Sequence, residues 1–376
     1  MTEEGELAVE RSVLPRLTSL RWYAALMVFL FHVGTHGWRP LRPFNFGTVG
    51  VTFFFVLSGF VLVWSTSADV AARTFYRRRF ARIYPSYLVM LVLAVAIASW
   101  SSIDLGRSRS DAVQSIFMLQ AWFGSATHPF VYDVPEWTLS CEAFFYLLFP
   151  LLFVVLRRLS GRRRDLLVAG SVVVAVVVAA LLTNAGHFTQ ALDLPVIRLP
   201  EFMVGMWCAL KVREGWRPRV PLWAAIVVVV VAYEVARVLG NNAYLAHGDY
   251  VMLLPIALLL IAAACTDLRG TSGLLTRPTS IYLGEVSFAF YLVHWVVLAA
   301  VLHLHGWGRH PWGLTSGVEP IVIMFVVSLL AAIALHHLVE LPLQRRLRGA
   351  GTSIATADPQ LVARADVDRR LDLHAE

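Results

Sequence analysis

The chain has 376 residues, of which 58% are hydrophobic and 15% charged, and its mean hydropathy is +0.65. A soluble domain carries about 25% charged residues, so this composition excludes an ordinary soluble enzyme and indicates a protein embedded in lipid. The net charge is +7, but the basic residues stand in short runs between apolar stretches, which is typical of membrane topology and not of nucleic-acid binding.

Ten stretches are apolar enough to cross a hydrocarbon core, which takes roughly 20 residues of helix. They lie near 17–36, 47–66, 83–100, 136–156, 165–183, 195–213, 221–239, 249–266, 281–302 and 319–339. The segment 112–123 is too short to cross and predicts an interfacial or re-entrant piece. The expected fold is an all-α, polytopic transmembrane bundle of about ten helices.

The distribution of Lys and Arg predicts the orientation of the bundle. With the N-terminus inside, the four inner loops hold 16 basic residues and the five outer loops hold 5. Because cytoplasmic loops carry the excess of basic residues, both termini are expected in the cytoplasm. We expect one membrane domain over residues 1–348 and a polar, disordered tail over 349–376. Three scattered cysteines, without CxxC spacing, predict neither a disulfide framework nor a metal site.

The first predicted helix carries Arg21 and His32, and ionisable groups inside a membrane are functional candidates by default. Eleven residues at 100° each bring both side chains to one helix face, about 16 Å apart. Arg21 then lies toward the cytoplasm and His32 in the outer half. An interfacial arginine that snorkels and a histidine satisfied by a neighbouring helix explain the same pattern equally well.

Further polar residues lie near the outer ends of later helices. Glu142 follows Trp137 about two turns into the fourth helix, where a carboxylate must be protonated, paired or in a wet cavity. A structural hydrogen bond to another helix is the alternative. Arg198 and Glu201, spaced i,i+3, are expected to neutralise one another. The ninth helix supplies Tyr291 and His294, of which an aromatic-belt role would explain only the tyrosine.

An arginine cluster lies on the predicted inner side, before the third helix. Arg78 and Arg82 are spaced i,i+4 and would present two forked donors on one side of a helical turn, with Arg79 beside them. A positive-inside anchor is the simpler interpretation, and a phosphate-binding site is the sharper one.

Seven segments in order resemble the membrane acyltransferase-3 family, which consists of bacterial O-acyltransferases of polysaccharides, cell-wall sugars and macrolides. The resemblance covers residues 17 to about 348. Its carriers are LTSLRWYAALMVFLFH (17–32, with an Arg-x10-His motif), GVTFFFVLSGFVLVWS (50–65), RRxxR (78–82), PEWTLSCEAFFYLLFP (135–150), RLPEFMVGM (198–206), LGEVSFAFYLVHW (283–295) and VELPLQRR (339–346). Thr52 and Ala143 replace acidic residues of many members, as in an actinobacterial subset that includes macrolide O-acyltransferases.

The resemblance implies transfer of an acyl group from acyl-CoA, as co-substrate and with no permanently bound cofactor, to a hydroxyl of a carbohydrate or macrolide. A hydroxyl is a poor nucleophile, so a general base is required, and neutral His32 suits that role. Glu142 would orient and stabilise its imidazolium. Arg21, Arg78, Arg79 and Arg82 would bind the donor, and Trp137, Tyr291, His294, Arg198 and Glu201 the acceptor. Direct transfer and a covalent acyl-histidine relay both stay open.

A transporter or flippase would also place charged residues at mid-membrane, but it is expected to show discontinuous helices and an inverted repeat, and neither is evident. A catalytically inactive scaffold is the third interpretation, and the retained Arg21, His32 and Glu142 argue against it. We expect a location in a bacterial plasma membrane.

Overall fold

A computed structural model describes residues 13–35, 39–67, 70–100, 109–123, 134–239, 249–304 and 318–348. The predicted tail, 349–376, lies outside these ranges, as does much of the predicted outer loop 101–135. The described part is helical throughout its regular structure, with no strand. In lipid a helix satisfies all its own backbone hydrogen bonds, which is why long apolar stretches fold this way.

Within the described ranges, ten long helices occur at the ten predicted positions. They are α1 (Pro15–Thr35), α2 (Val49–Ser65), α3 (Ala72–Trp100), α4 (Trp137–Arg158), α5 (Gly161–Asn184), α6 (Pro195–Arg213), α7 (Leu222–Leu239), α8 (Leu253–Leu268), α9 (Pro278–Leu304) and α10 (Val318–Leu335). Seven helical stretches, all but α2, α6 and α7, are long and apolar enough to cross a membrane. The prediction of an all-α polytopic membrane bundle is confirmed.

The chain ends its described part with a change of helix type. A π-helical turn, His336–Glu340, follows α10 directly, and a short terminal helix, Leu341–Arg348, follows the turn. π-helical turns are rare and are found frequently at functional sites. We refer to residues His336–Glu340 as the π-turn.

The centre of the bundle is built on a close contact between α2 and α6. A side chain at Gly59 of α2 would overlap the carbonyl oxygen of Phe202, and one at Gly205 of α6 would overlap that of Val56. Glycine at both positions therefore lets the two backbones touch, as small residues do at membrane helix interfaces. Gly284 of α9 makes a similar approach to α1, at the carbonyl of Thr18.

Ion pairs at helix ends show which termini lie together. Arg16, at the start of α1, donates to Asp267 at the end of α8 with an N–O distance of 2.6 Å. Arg164, at the start of α5, binds Glu214 just after α6. The start of α1 and the end of α8 therefore share one end of the bundle, as do the start of α5 and the end of α6.

The segment predicted to be interfacial or re-entrant forms two short helices, Arg109–Ile116 and Gln120–Phe123. Tyr84 and Tyr87 of α3 donate hydrogen bonds to the backbone carbonyls at the end of the first one. The side chain of Gln120 donates to the carbonyl of Glu136, just before α4. The segment is thus tied to α3 on one side and to the start of α4 on the other.

Candidate active site

Two histidines from different helices meet in the buried interior. His32 lies near the end of α1 and is 7% exposed, while His294 of α9 is fully buried. Nδ1 of His32 lies 2.9 Å from Nε2 of His294, and the rings are nearly parallel at 20°. The sequence identified both residues, His32 as a candidate general base and His294 as a candidate acceptor contact, and did not predict that they touch. The structure joins them in one pair.

The hydrogen bonds of His294 fix the tautomer of His32. Nδ1 of His294 lies 2.6 Å from the backbone carbonyl of Tyr291, which only accepts hydrogen bonds, so this nitrogen carries the proton. In the neutral ring Nε2 is then the acceptor, and Nδ1–H of His32 must donate to it. The lone pair of neutral His32 is therefore on Nε2, the nitrogen on the far side of the ring from His294.

Aromatic rings surround the histidine pair. The ring of Trp295 lies 5.1 Å from that of His32, and Phe31 lies at the same distance. Phe29 and Phe290 pack against His294. Such a setting excludes water and strengthens polar interactions inside it.

The hydroxyl of Tyr291 connects the histidine pair to the start of α4. It lies 2.9 Å from the hydroxyl of Thr138, and both hydroxyls are within hydrogen-bond distance of the carbonyl of Pro135. The sequence singled out Tyr291 but missed Thr138, because a threonine at a helix start is ordinarily a capping residue. Thr138 precedes Glu142 by four residues, so the two lie about one helical turn apart on the same face of α4.

Glu142 does not reach His32 by a hydrogen bond. Its carboxylate accepts from Ser58 of α2 at 3.1 Å and from Tyr146, one turn along α4, at 3.2 Å. The positive charges of Arg21 and Arg82 both act on it. His294, and not Glu142, contacts Nδ1 of His32, and Glu142 lies one helical turn beyond Thr138, on the side of Arg21 and Arg82.

The arginine motif lies on the first turns of α3, as its spacing indicated. Arg82 forms an ion pair with Glu340 of the π-turn, with an N–O distance of 2.6 Å. Arg78 and Arg79 are half-buried, and the guanidinium of Arg79 lies over the ring of Phe75. Of the predicted donor-binding residues, Arg82 thus already contacts a carboxylate from another segment.

Glu340 is the centre of an inner polar cluster, which we define as Arg82, His336, Glu340 and Gln344. One oxygen of Glu340 contacts Arg82 and accepts from Gln344 at 3.2 Å, and the other lies 2.9 Å from Nδ1 of His336. The charge of Arg21 acts on Glu340 as it does on Glu142. Buried and half-buried polar groups therefore lie at the inner polar cluster, at Arg21 and Glu142, and at Thr138 and Tyr291 one turn along α4 from Glu142.

Arg198 and Glu201 form a second buried cluster beside the start of α4. The ion pair expected from their spacing is present at 3.0 Å, but Arg198 also binds Asp249 at 2.8 Å and donates to Thr52 at 3.3 Å. All four side chains are buried. The sequence did not identify Asp249, which precedes α8 by four residues.

Trp137 belongs to this second cluster and not to the surroundings of His32. The guanidinium of Arg198 lies 5.8 Å from the ring centroid of Trp137 and 5.5 Å from that of Phe55, as in cation–π contacts. Asp193, between α5 and α6, lies close to the same guanidinium, and burial raises its pKa to about 8. Trp137 and Thr138 are neighbours in the chain, so the second cluster adjoins the histidine pair through the first turn of α4.

Comparisons with known proteins agree with the acyltransferase family that the seven sequence segments resemble. The family model described as an acyltransferase domain matches residues 14–337. Acyltransferase MdmB of Streptomyces mycarofaciens is 35% identical over 375 residues, which cover 92% of this chain and 95% of that protein. SACOL0978 of Staphylococcus aureus strain COL, named as a candidate O-acetyltransferase, is 21% identical over 364 residues, which cover 88% of this chain and 57% of that protein. No solved structure matches the chain.

Proposed function

The chain belongs to the acyltransferase family whose domain it matches over residues 14–337, and on that premise we propose that it transfers an acyl group from acyl-CoA to an acceptor hydroxyl, with His32 as general base. The acceptor is a carbohydrate or a macrolide-like secondary metabolite, and the protein works in a bacterial plasma membrane. The observation that carries the proposal is the buried His32–His294 pair at 2.9 Å.

The chemistry begins at Nε2 of His32, the nitrogen that bears the lone pair. It takes the proton of the acceptor hydroxyl as the hydroxyl oxygen bonds to the thioester carbonyl carbon. The carbon–sulfur bond then breaks, and the imidazolium returns the proton to the departing CoA thiolate. Atoms and charge balance, because the acceptor gains an acyl group in place of a proton and CoA leaves as the thiol.

His294 orients the base in this scheme. By accepting from Nδ1–H of His32, it keeps the lone pair on Nε2 and holds the ring in place, which is the task of the carboxylate in a serine-hydrolase triad. The carbonyl of Tyr291 in turn fixes the tautomer of His294. His294 is a positioning residue, and the acceptor approaches His32 from the side away from it.

The donor's phosphates bind near Arg78 and Arg79, and its arm extends past the polar groups that lie between the inner polar cluster and His32. The support is the half-buried position of these two arginines at the start of α3, together with the inner side that the basic loops predict. Arginine forks suit phosphate oxygens, which they bind in pairs.

A transfer assay with the purified protein tests the general base. With labelled acetyl-CoA and a panel of sugar and macrolide acceptors, we expect acceptor-dependent release of CoA, and His32→Ala should lower kcat by about 10²–10⁴-fold. His187→Ala, at an exposed histidine between α5 and α6, is the matched control and should leave the rate unchanged. A folded His32→Ala protein with normal turnover would refute the role of His32, and movement of a substrate across vesicles without acyl transfer would favour a transporter.

A further inference from the structure

The π-turn contains a third buried histidine, His336, whose hydrogen bonding is incomplete. His336 is 2% exposed, and its Nδ1 lies 2.9 Å from the carboxylate of Glu340. Within the described residues no hydrogen-bond partner faces its Nε2 atom, although that atom is buried. Buried polar atoms are nearly always hydrogen-bonded, so this nitrogen calls for a partner that is not part of the described chain.

The surroundings of His336 hold it in one orientation. Glu340 cannot turn away, because its two oxygens are engaged by Arg82, Gln344 and His336. A carboxylate only accepts hydrogen bonds, so Nδ1 of His336 carries a proton and Nε2 is the atom left for another group. A histidine held this way through Nδ1 presents Nε2 in a fixed direction, in the same way that a carboxylate bound to the other ring nitrogen orients a metal-binding histidine.

The position of His336 relates it to the proposed donor site. Glu340 links it to Arg82, and Arg78 lies one helical turn, about 6 Å, before Arg82 on α3. A ligand with phosphates at Arg78 and Arg79 and an arm directed toward His32 would pass the inner polar cluster. The arm of CoA contains amide groups, and an amide offers an N–H to a neutral imidazole and a C=O to a protonated one.

We propose that Nε2 of His336 hydrogen-bonds to an amide of the acyl donor's arm, which makes His336 a donor-binding residue. The inference rests on the proposed function, since it takes acyl-CoA as the donor. Glu340 acts through His336 as a positioning residue, and Arg82 serves mainly to hold Glu340, so that the phosphates depend more on Arg78 and Arg79.

Two conservative substitutions separate ligand binding from structural support. In His336→Asn the amide nitrogen takes the place of Nδ1 and keeps the bond to Glu340, but nothing replaces Nε2. In His336→Gln the longer amide reaches the place of Nε2, but the bond to Glu340 is lost. If His336 binds the ligand, His336→Asn should lower the affinity for the ligand. If His336 only supports the structure, His336→Gln should be the more harmful variant.

The experiment measures the Kd of the full-length, detergent-solubilised protein for acetyl-CoA and for adenosine 3′,5′-bisphosphate, which has phosphates but no arm. We expect His336→Asn to bind acetyl-CoA about three- to tenfold more weakly, the effect of one hydrogen bond, with unchanged affinity for the bisphosphate. His336→Gln should bind both ligands within about twofold of wild type, with a lower thermal midpoint than His336→Asn because Glu340 loses a partner.

Several outcomes would overturn the inference. It fails if His336→Asn binds acetyl-CoA as tightly as wild type, or if it weakens both ligands equally. If His336→Asn does not fold, the result for His336→Gln decides. Acetyl-CoA binding within about twofold of wild type supports the binding role, whereas loss of both stability and acetyl-CoA binding in His336→Gln indicates a structural role. If the wild-type protein binds no acetyl-CoA, the proposed function loses its donor, and the inference about His336 fails with it. If the wild type binds acetyl-CoA and His336→Asn binds it equally well, only the inference about His336 fails.

Discussion

A backbone carbonyl determines which nitrogen of His32 is basic. The carbonyl of Tyr291 places a proton on Nδ1 of His294, and this proton leaves Nε2 of His294 as the acceptor for His32. The direction of the whole chain of bonds follows from the fact that a carbonyl has no proton to give. A histidine in place of the usual carboxylate stabilises the imidazolium less, but it avoids burying an unpaired negative charge.

The role of His294 predicts different effects for two substitutions. His294→Gln puts an amide oxygen where Nε2 accepts from His32, whereas His294→Asn keeps only the donor to the carbonyl of Tyr291. We expect His294→Asn to lower kcat by about 10-fold or more and His294→Gln to retain more activity, with little change in KM for the acceptor. Steady-state kinetics of the purified variants measure this. Equal losses in the two variants, or an effect on KM alone, would argue for acceptor binding instead.

The i,i+3 pair Arg198–Glu201 illustrates what local spacing can predict. Their ion pair follows from the geometry of a single helix and is present at 3.0 Å. The stronger contact of Arg198, with Asp249 at 2.8 Å, comes from a residue 51 positions away. No local pattern connects those two positions, so only the packed structure reveals it.

Glycine contacts set the packing of the central elements. Gly59 and Gly205 each lie against a backbone carbonyl of the partner helix, so no side chain fits between α2 and α6 at these two positions. Because α6 carries Arg198 and Glu201 and α2 carries Ser58, which donates to Glu142, this contact also positions site residues. Separation of the two helices would disturb both clusters together.

The close contact predicts a large cost for a single methyl group. Gly205→Ala should force α2 and α6 apart and destabilise the protein by about 1–3 kcal/mol, the usual cost of overpacking. Gly170→Ala is the matched control, since a side chain at Gly170 of α5 meets open space, and it should be neutral or slightly stabilising. Thermal unfolding in detergent measures both. Equal midpoints for the two variants would contradict the packing argument.

The positions of the ten long helices follow from the lengths of the apolar stretches, but the position of the π-turn does not. Apolar stretches placed all ten helices because a membrane helix must be apolar along its whole length. The π-turn after α10 has no such signal, since HHLVE continues into a second helix without a break in pattern. The contact of His336 with Glu340 fits their i,i+4 spacing, whereas the ion pair of Glu340 with Arg82 joins two distant segments and comes from helix packing.

At the scale of the molecule, the ion pairs at helix ends agree with an arrangement in which successive helices run in opposite directions. Arg16–Asp267 and Arg164–Glu214 lie at ends that the basic loops assign to the cytoplasm. The histidine pair lies toward the opposite ends of α1 and α9. The molecule thus has arginines toward one end and the candidate base toward the other, which suits a donor and an acceptor that arrive from opposite sides.

Cysteine labelling of intact cells tests this orientation. Ser160 and Asn184 are exposed and flank α5 at its two ends. We expect Asn184→Cys to react with a membrane-impermeant maleimide in intact cells and Ser160→Cys to react only after permeabilisation, because the basic loop 157–164 is retained inside. The native cysteines Cys141, Cys208 and Cys265 are buried and provide the unlabelled background. The reverse labelling pattern would invert the predicted topology.

Composition and motif order by themselves determined the membrane class, the ten helices and the family, because these depend on hydrophobic length and on residues near one another in the chain. They also selected both histidines, since an ionisable group in lipid is costly wherever it lies. Tertiary structure alone decided the pairs: His32 with His294, Glu142 with Ser58, and Arg82 with Glu340. These partners come from helices distant in sequence, and their contact is a product of helix packing, which no single stretch of residues encodes.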